Sequence, residues 1–167
     1  SSSSRGLGDV YKRQDLETQR SAAEVGGWNK AHMMGMSVGV VWDSHEQKCT
    51  SYFEEHVDAL IEHLQQADLV VGFNIIGFDY TVLRGYSKFD FKGLNTLDIL
   101  REIHGRLRYR VSLDSVGKAT LDAAKSADGL MALQWFKEGR LDLIEAYCRK
   151  DVELTRDLFY YALEHSY

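Results

Sequence analysis

Two periodicities alternate along the chain. Met36 to Trp42 is rich in valine and predicts a strand, and Asp43 to Gln47 reads as a turn. Lys48 to Phe53 alternates well enough for a second strand, so the pair reads as a hairpin. From Glu54 to Ala67 the apolar positions change spacing. Val57, Leu60, Ile61 and Leu64 follow the i, i+3, i+4, i+7 rule of an amphipathic helix. A short apolar run at 69–73 returns to strand, breaks at Gly72 and Gly77, and continues as helix from about Phe78 to Tyr86. Strand, helix and strand in succession predict a right-handed crossover.

The second half is mostly helical. Asn95 to Leu100 predicts a short strand running into helix at Arg101 to His104. Gly105 to Arg110 reads as a basic loop containing Tyr109. Ser112 suits the N-cap of a helix through about Leu121, with Asp114 in its first turn. A further helix runs from Asp128 to Phe136, stopped by Gly139, and the last spans Leu141 to Glu164. Residues 19–34 read as a loop broken at Gly26-Gly27. No repeat or linker divides the chain. The elements predict an α/β fold, a mixed sheet flanked by helices.

Residues 1–14 do not fit this pattern. Ser1 to Ser4 is linker-like, and the segment through Gln14 resembles translated adapter sequence joined to a gene fragment. It is set aside as non-native or disordered, leaving residues 15–167 as one domain. If a strand does extend backward from Asp15, alternation puts Tyr11, Arg13, Asp15 and Glu17 on one face, a poor composition for a central strand.

Composition narrows the class. The 167 residues suffice for one domain with a sizeable core. No run of eighteen apolar residues offers a membrane span. The start lacks the apolar region of a signal peptide. Cys49 and Cys148 make neither a disulfide framework nor a metal-ligand pair, so a reducing, cytoplasmic setting is expected. The net charge of -5 counts weakly against nucleic acid. Arg84 to Lys150 nevertheless holds 13 Lys or Arg against 9 Asp or Glu, so the acidity lies elsewhere.

Three acidic motifs carry the chemistry. Asp15 and Glu17 stand at i and i+2, on one face of any strand. Asn74-x-x-x-Phe78-Asp79 sits where a strand gives way to a helix. Tyr147 and Asp151 stand at i and i+4, on one helical face. Phosphodiester hydrolysis is well served by two divalent cations about 3.5–4 Å apart. Mg²⁺ and Mn²⁺ take oxygen ligands, and these spacings let four carboxylates and a phenol converge. Asp98, Asp114, Asp122 and Asp128 read as caps and surface acids instead.

In that order, the motifs resemble those of the DEDDy 3′→5′ exonucleases, a family on a ribonuclease H-like fold. The middle motif is similar to that of the proofreading domains of family B DNA polymerases. Leu97 to Tyr161 is similar to bacterial YprB-type ribonuclease H-like domains. The resemblance spans residues 15 to about 161. It implies a ribonuclease H-like mixed five-stranded sheet flanked by helices. It also implies that Asp15, Glu17, Asp79 and Asp151 hold two Mg²⁺ or Mn²⁺ ions, Asp15 bridging both, and that Tyr147 orients the attacking water.

Thr18, Asn74 and Phe78 then fall among the substrate contacts, Phe78 also packing. Arg106, Arg108 and Arg110 form a candidate phosphate track, and Phe73, Tyr80 and Tyr86 are candidate aromatic wedges. The expected substrate is nucleic acid with a single-stranded or frayed 3′ end, released as nucleoside 5′-monophosphates. A helicase or polymerase is a possible partner. The alternative is a non-catalytic nucleic-acid-binding domain attached to, or partnering, such an enzyme.

Overall fold

The first strand carries the sheet. In the computed structural model, which describes residues 10–107 and 129–165, β1 (Tyr11–Thr18) lies in the middle of five strands. The order is β3-β2-β1-β4-β5, with β2 at Met36–Asp43, β3 at Lys48–Phe53, β4 at Leu69–Gly72 and β5 at Thr96–Asp98. The first three strands are antiparallel; β4 and β5 run parallel to β1. This is the mixed sheet the sequence predicts.

The sheet has a helical layer on each face. The helix α2 (Val57–Gln65) covers one face, after α1 (Ala22–Val25) earlier in the chain. Its Leu60, Ile61 and Leu64 bury against Leu16, Val41 and Val70. The short α3 (Tyr80–Arg84) adds Val82 and Leu83 to this core. Next comes α4 (Ile99–Leu107), directly after β5. The opposite face is covered by α5 (Gly129–Lys137) and α6 (Leu141–Glu164), which bury Ala132, Ile144, Cys148 and Val152 against Val38, Val40 and Trp42. All eight β2 residues are buried, as a strand covered on both sides should be.

Several expectations change. The strand begins at Tyr11, so Tyr11 to Gln14, set aside on sequence grounds, lie in the central strand. Two local arrangements accommodate their polarity. Lys12 Nζ reaches Asp43 Oδ2 at 2.5 Å, and the same oxygen accepts from His63 Nε2 at 3.0 Å. Burial opposes the Asp43 charge, but these bonds and those from the His45 and Glu46 amides outweigh it and hold its carboxyl well below the usual range. On the other face the Arg13 guanidinium lies 4.6–5.6 Å from the ring centroids of Phe159, Tyr160, Trp42 and Tyr11. Burial pulls its pKa down to about 10, with Tyr160 offsetting part of the loss.

Residues 19–34 are not an open loop. Ser21 and Glu24 form a capping box that starts α1, and Gly26, at φ 98°, ends it. A 3₁₀ segment follows at Trp28–Met33. Gly105 does not break the second-half helix, because α4 continues to Leu107 and takes Arg106 with it. Arg108, Tyr109, Arg110 and the helix expected at 112–121 lie outside the described residues.

Candidate metal-binding site

Asp15 and Glu17 point from β1 toward α6, as alternate residues of a strand must. Asp151 comes down from α6 to meet them. Ligand oxygens of Asp15, Glu17 and Asp151 all lie within 4.8 Å of one another, with Asp151 buried and the two strand acids half-buried. Tyr147, one helical turn before Asp151, is buried at the same place, its ring 6.2 Å from that of Trp135. Between them Cys148 Sγ lies 3.3 Å from the Asp15 main-chain oxygen and 3.7 Å from its Oδ2. Burial, then the charges of Asp15 and Glu17, push that thiol well above its ordinary pKa, so it stays protonated.

Asp79 arrives differently from the expected strand end. Gly72 closes β4 where a Cβ would come within 2.8 Å of Ile75 Cβ, so the chain can fold back tightly. Asn74 then adopts a left-handed conformation at φ 59°, and Ile75–Asp79 forms a π-turn leading into α3. The Asp79 side chain is 3% exposed and its Oδ2 has no hydrogen-bond partner. Burial, then the charges of Glu17 and Asp98, push its carboxyl well above the ordinary value, while the Gln14 amide pulls the other way. Asp79 thus feels the charge of Glu17 while lying outside the tight group of three.

A buried carboxyl with an orphaned oxygen beside three converging acids fits a hard divalent cation, which supplies charge and takes oxygen donors. Asp43, Glu46 and His63 also bring ligand atoms within 4.8 Å of one another. There, however, Asp43 is already engaged by Lys12, His63 and two amides, so the cluster is satisfied internally.

Beside Glu17 opens a cleft of about 1020 Å³, lined by Thr18, Arg20, Trp28, Asn74, Phe78 and Leu130 among others. Thr18 Oγ1 donates to Arg20 O at 3.1 Å. Asn74 and Phe78 are half-buried, and the Phe78 N–H closes the turn onto Asn74 O at 3.0 Å. Trp28, missed by the sequence reading, is 71% exposed and meets Phe78 edge to face at 5.9 Å. A tryptophan in a segment that reads as a loop is the signal the sequence offers.

Two of the three expected wedges have structural tasks instead. Tyr80 is buried, stacked on Phe91 and bonded through its hydroxyl to Thr96 Oγ1 at 2.7 Å. Tyr86 accepts from Met36 N at 2.8 Å and donates to Glu54 Oε2 at 2.6 Å. Asp98, read as a cap or surface acid, is 4% exposed and bonds three backbone amides.

A family model for the RNase_H superfamily matches residues 23–163. The chain belongs to the RNase_H superfamily. No curated protein matches it. Among solved structures, this RNase_H superfamily chain is similar to the family B DNA polymerase from the hyperthermophilic archaeon Pyrobaculum calidifontis, with a TM-score of 0.70 and 12% identity. The match covers 93% of the chain but 24% of the polymerase, and at that identity the likeness is one of fold. Among the described residues, no helix of this RNase_H superfamily member is long and apolar enough to cross a membrane.

Proposed function

We propose that the chain is a metal-dependent 3′→5′ exonuclease domain that hydrolyses phosphodiester bonds at nucleic-acid 3′ ends and releases nucleoside 5′-monophosphates. The observation that carries this is the convergence of Asp15, Glu17 and Asp151 from the first strand and the last helix, with Asp79 beside Glu17. Asp15, Glu17, Asp79 and Asp151 would hold two Mg²⁺ or Mn²⁺ ions. When bound, such ions acidify the attacking water and stabilise charge on the leaving oxygen. Tyr147 orients that water; an unperturbed phenol titrates near 10, too high for a strong base at neutral pH.

The cleft beside Glu17 receives the terminal nucleotide. Its aromatic wall of Trp28 and Phe78 suits an unpaired base better than a duplex end, because a stacked base must be splayed from its partner. Thr18 and Asn74 line the same space, and Arg106, Arg108 and Arg110 are the proposed phosphate contacts on sequence grounds. The polymerase likeness over a quarter of that longer chain is compatible with a domain serving a polymerase or helicase.

The test is degradation of a 5′-labelled single strand, as DNA and as RNA, with Mn²⁺, with EDTA and with Asp79→Ala. A metal-dependent ladder shortening from the 3′ end, absent in the variant, supports the reading and reports the sugar preference. Salt-dependent binding with no ladder would instead identify a non-catalytic binding domain.

A further inference from the structure

The register of β4 and β5 pairs Gly72 with Asp98, so the last residue of β5 stands beside the end of β4. The two residues that matter most for the following turn lie just beyond. Asp98 Oδ1 accepts from the Asn74 N–H at 2.9 Å, and Oδ2 accepts from the Ile76 N–H at 3.0 Å. Oδ1 also accepts from the Leu100 N–H at 3.1 Å, tying the start of α4 to the same group. One buried carboxylate thus holds the start of a strained stretch: a non-glycine residue in left-handed conformation and the first residues of the π-helical segment that follows it. Neither is a favoured backbone state, and each persists only where its surroundings determine it.

We propose that Asp98 is a positioning residue: its carboxylate clamps the Asn74–Asp79 turn and so sets where Asp79 stands against Glu17. This rests on the reading of Asp79 as a metal ligand. Asp98 itself is committed to three amides and does not join the carboxylates of the site. It reaches Asp79 through the main chain it holds and, secondarily, through its own charge; groups that orient metal ligands commonly cost roughly 10–100-fold in metal affinity when substituted.

The test compares wild type with Asp98→Asn by Mn²⁺ titration, followed by electron paramagnetic resonance, and by amide hydrogen exchange at Asn74 and Ile76. An asparagine keeps the shape but presents a donor to one of two N–H groups. The expected result in the folded variant is Mn²⁺ affinity at least about tenfold weaker, with faster exchange at Asn74 and Ile76. A purely structural role would lower the melting temperature and leave the Mn²⁺ affinity of the folded protein unchanged, and that result overturns the proposal. If Asp98→Asn does not fold, Asp98→Glu keeps charge and acceptors but reaches one methylene further, and the same two readouts decide. If wild type binds no Mn²⁺, the metal-site reading fails on its own; unchanged exchange at the two amides would separately show that Asp98 does not hold the turn.

Discussion

Cys148 Sγ touches the main-chain oxygen of Asp15 at 3.3 Å, so the last helix rests directly on the strand residue that carries the first carboxylate. The close approach leaves no room for a larger side chain. Cys148→Leu is expected to push α6 outward, lowering stability by about 1–3 kcal/mol in urea unfolding and weakening Mn²⁺ binding. Cys148→Ser should be much milder on Mn²⁺ binding.

Metal removal and pH act together through Asp79. Its folded pKa is raised, so the folded chain holds a proton that the unfolded chain has released. That contribution to stability is fully present below the unfolded value, 3.8 for an ordinary Asp, and is lost as pH rises through the folded value. In EDTA, Asp79→Asn should therefore gain on wild type as pH rises above that range. Melting temperatures of the two proteins across pH would show the gap widening. Added Mn²⁺ should stabilise wild type and narrow it.

Tyr147 and Trp28 separate chemistry from binding. Tyr147→Phe should lower kcat by about 100-fold, the scale of a misplaced reactant, while leaving Mn²⁺ affinity near wild type. Single-turnover cleavage with matched metal titrations measures both.

Trp28→Ala should act on KM instead. Loss of one base-stacking surface costs about 1–3 kcal/mol, a rise of about 5- to 150-fold in KM for a single strand with kcat little changed. Trp28→Phe should recover most of it.

Arg13 tests the central strand. A guanidinium wrapped by rings, with Tyr160 offsetting only part of its desolvation, is expected to gain less than it loses by leaving water. Arg13→Leu is expected to raise the melting temperature, and a fall would mean that the ring contacts outweigh the desolvation.

That strand also marks the limit of what the sequence reveals. The last helix was legible from periodicity and from Gly139, whose positive φ of 74° stops the element before it. The hairpin and α2 were legible for similar reasons, since their signals are local. Tyr11 to Gln14 looked unfit because the groups that accommodate Lys12 and Arg13, namely Asp43, His63, Trp42 and Tyr160, are distant in sequence. The motif acids announced themselves by spacing. Asp98 did not, because its role depends on the register between two parallel strands. The π-helical segment was equally hidden: asparagine tolerates a left-handed conformation, but nothing local shows that Asn74 adopts it or that a π-helical segment follows.

The union of the first strand with the last helix has a consequence in time. A ribosome delivers Asp15 and Glu17 early and Asp151 only after most of the domain has been made. Contacts so distant along the chain form slowly, after the local hairpin and helices. Until α6 docks, the nascent protein carries separated, hydrated acids with little hold on a cation. The proposed chemistry would thus be withheld until synthesis of the domain is nearly finished.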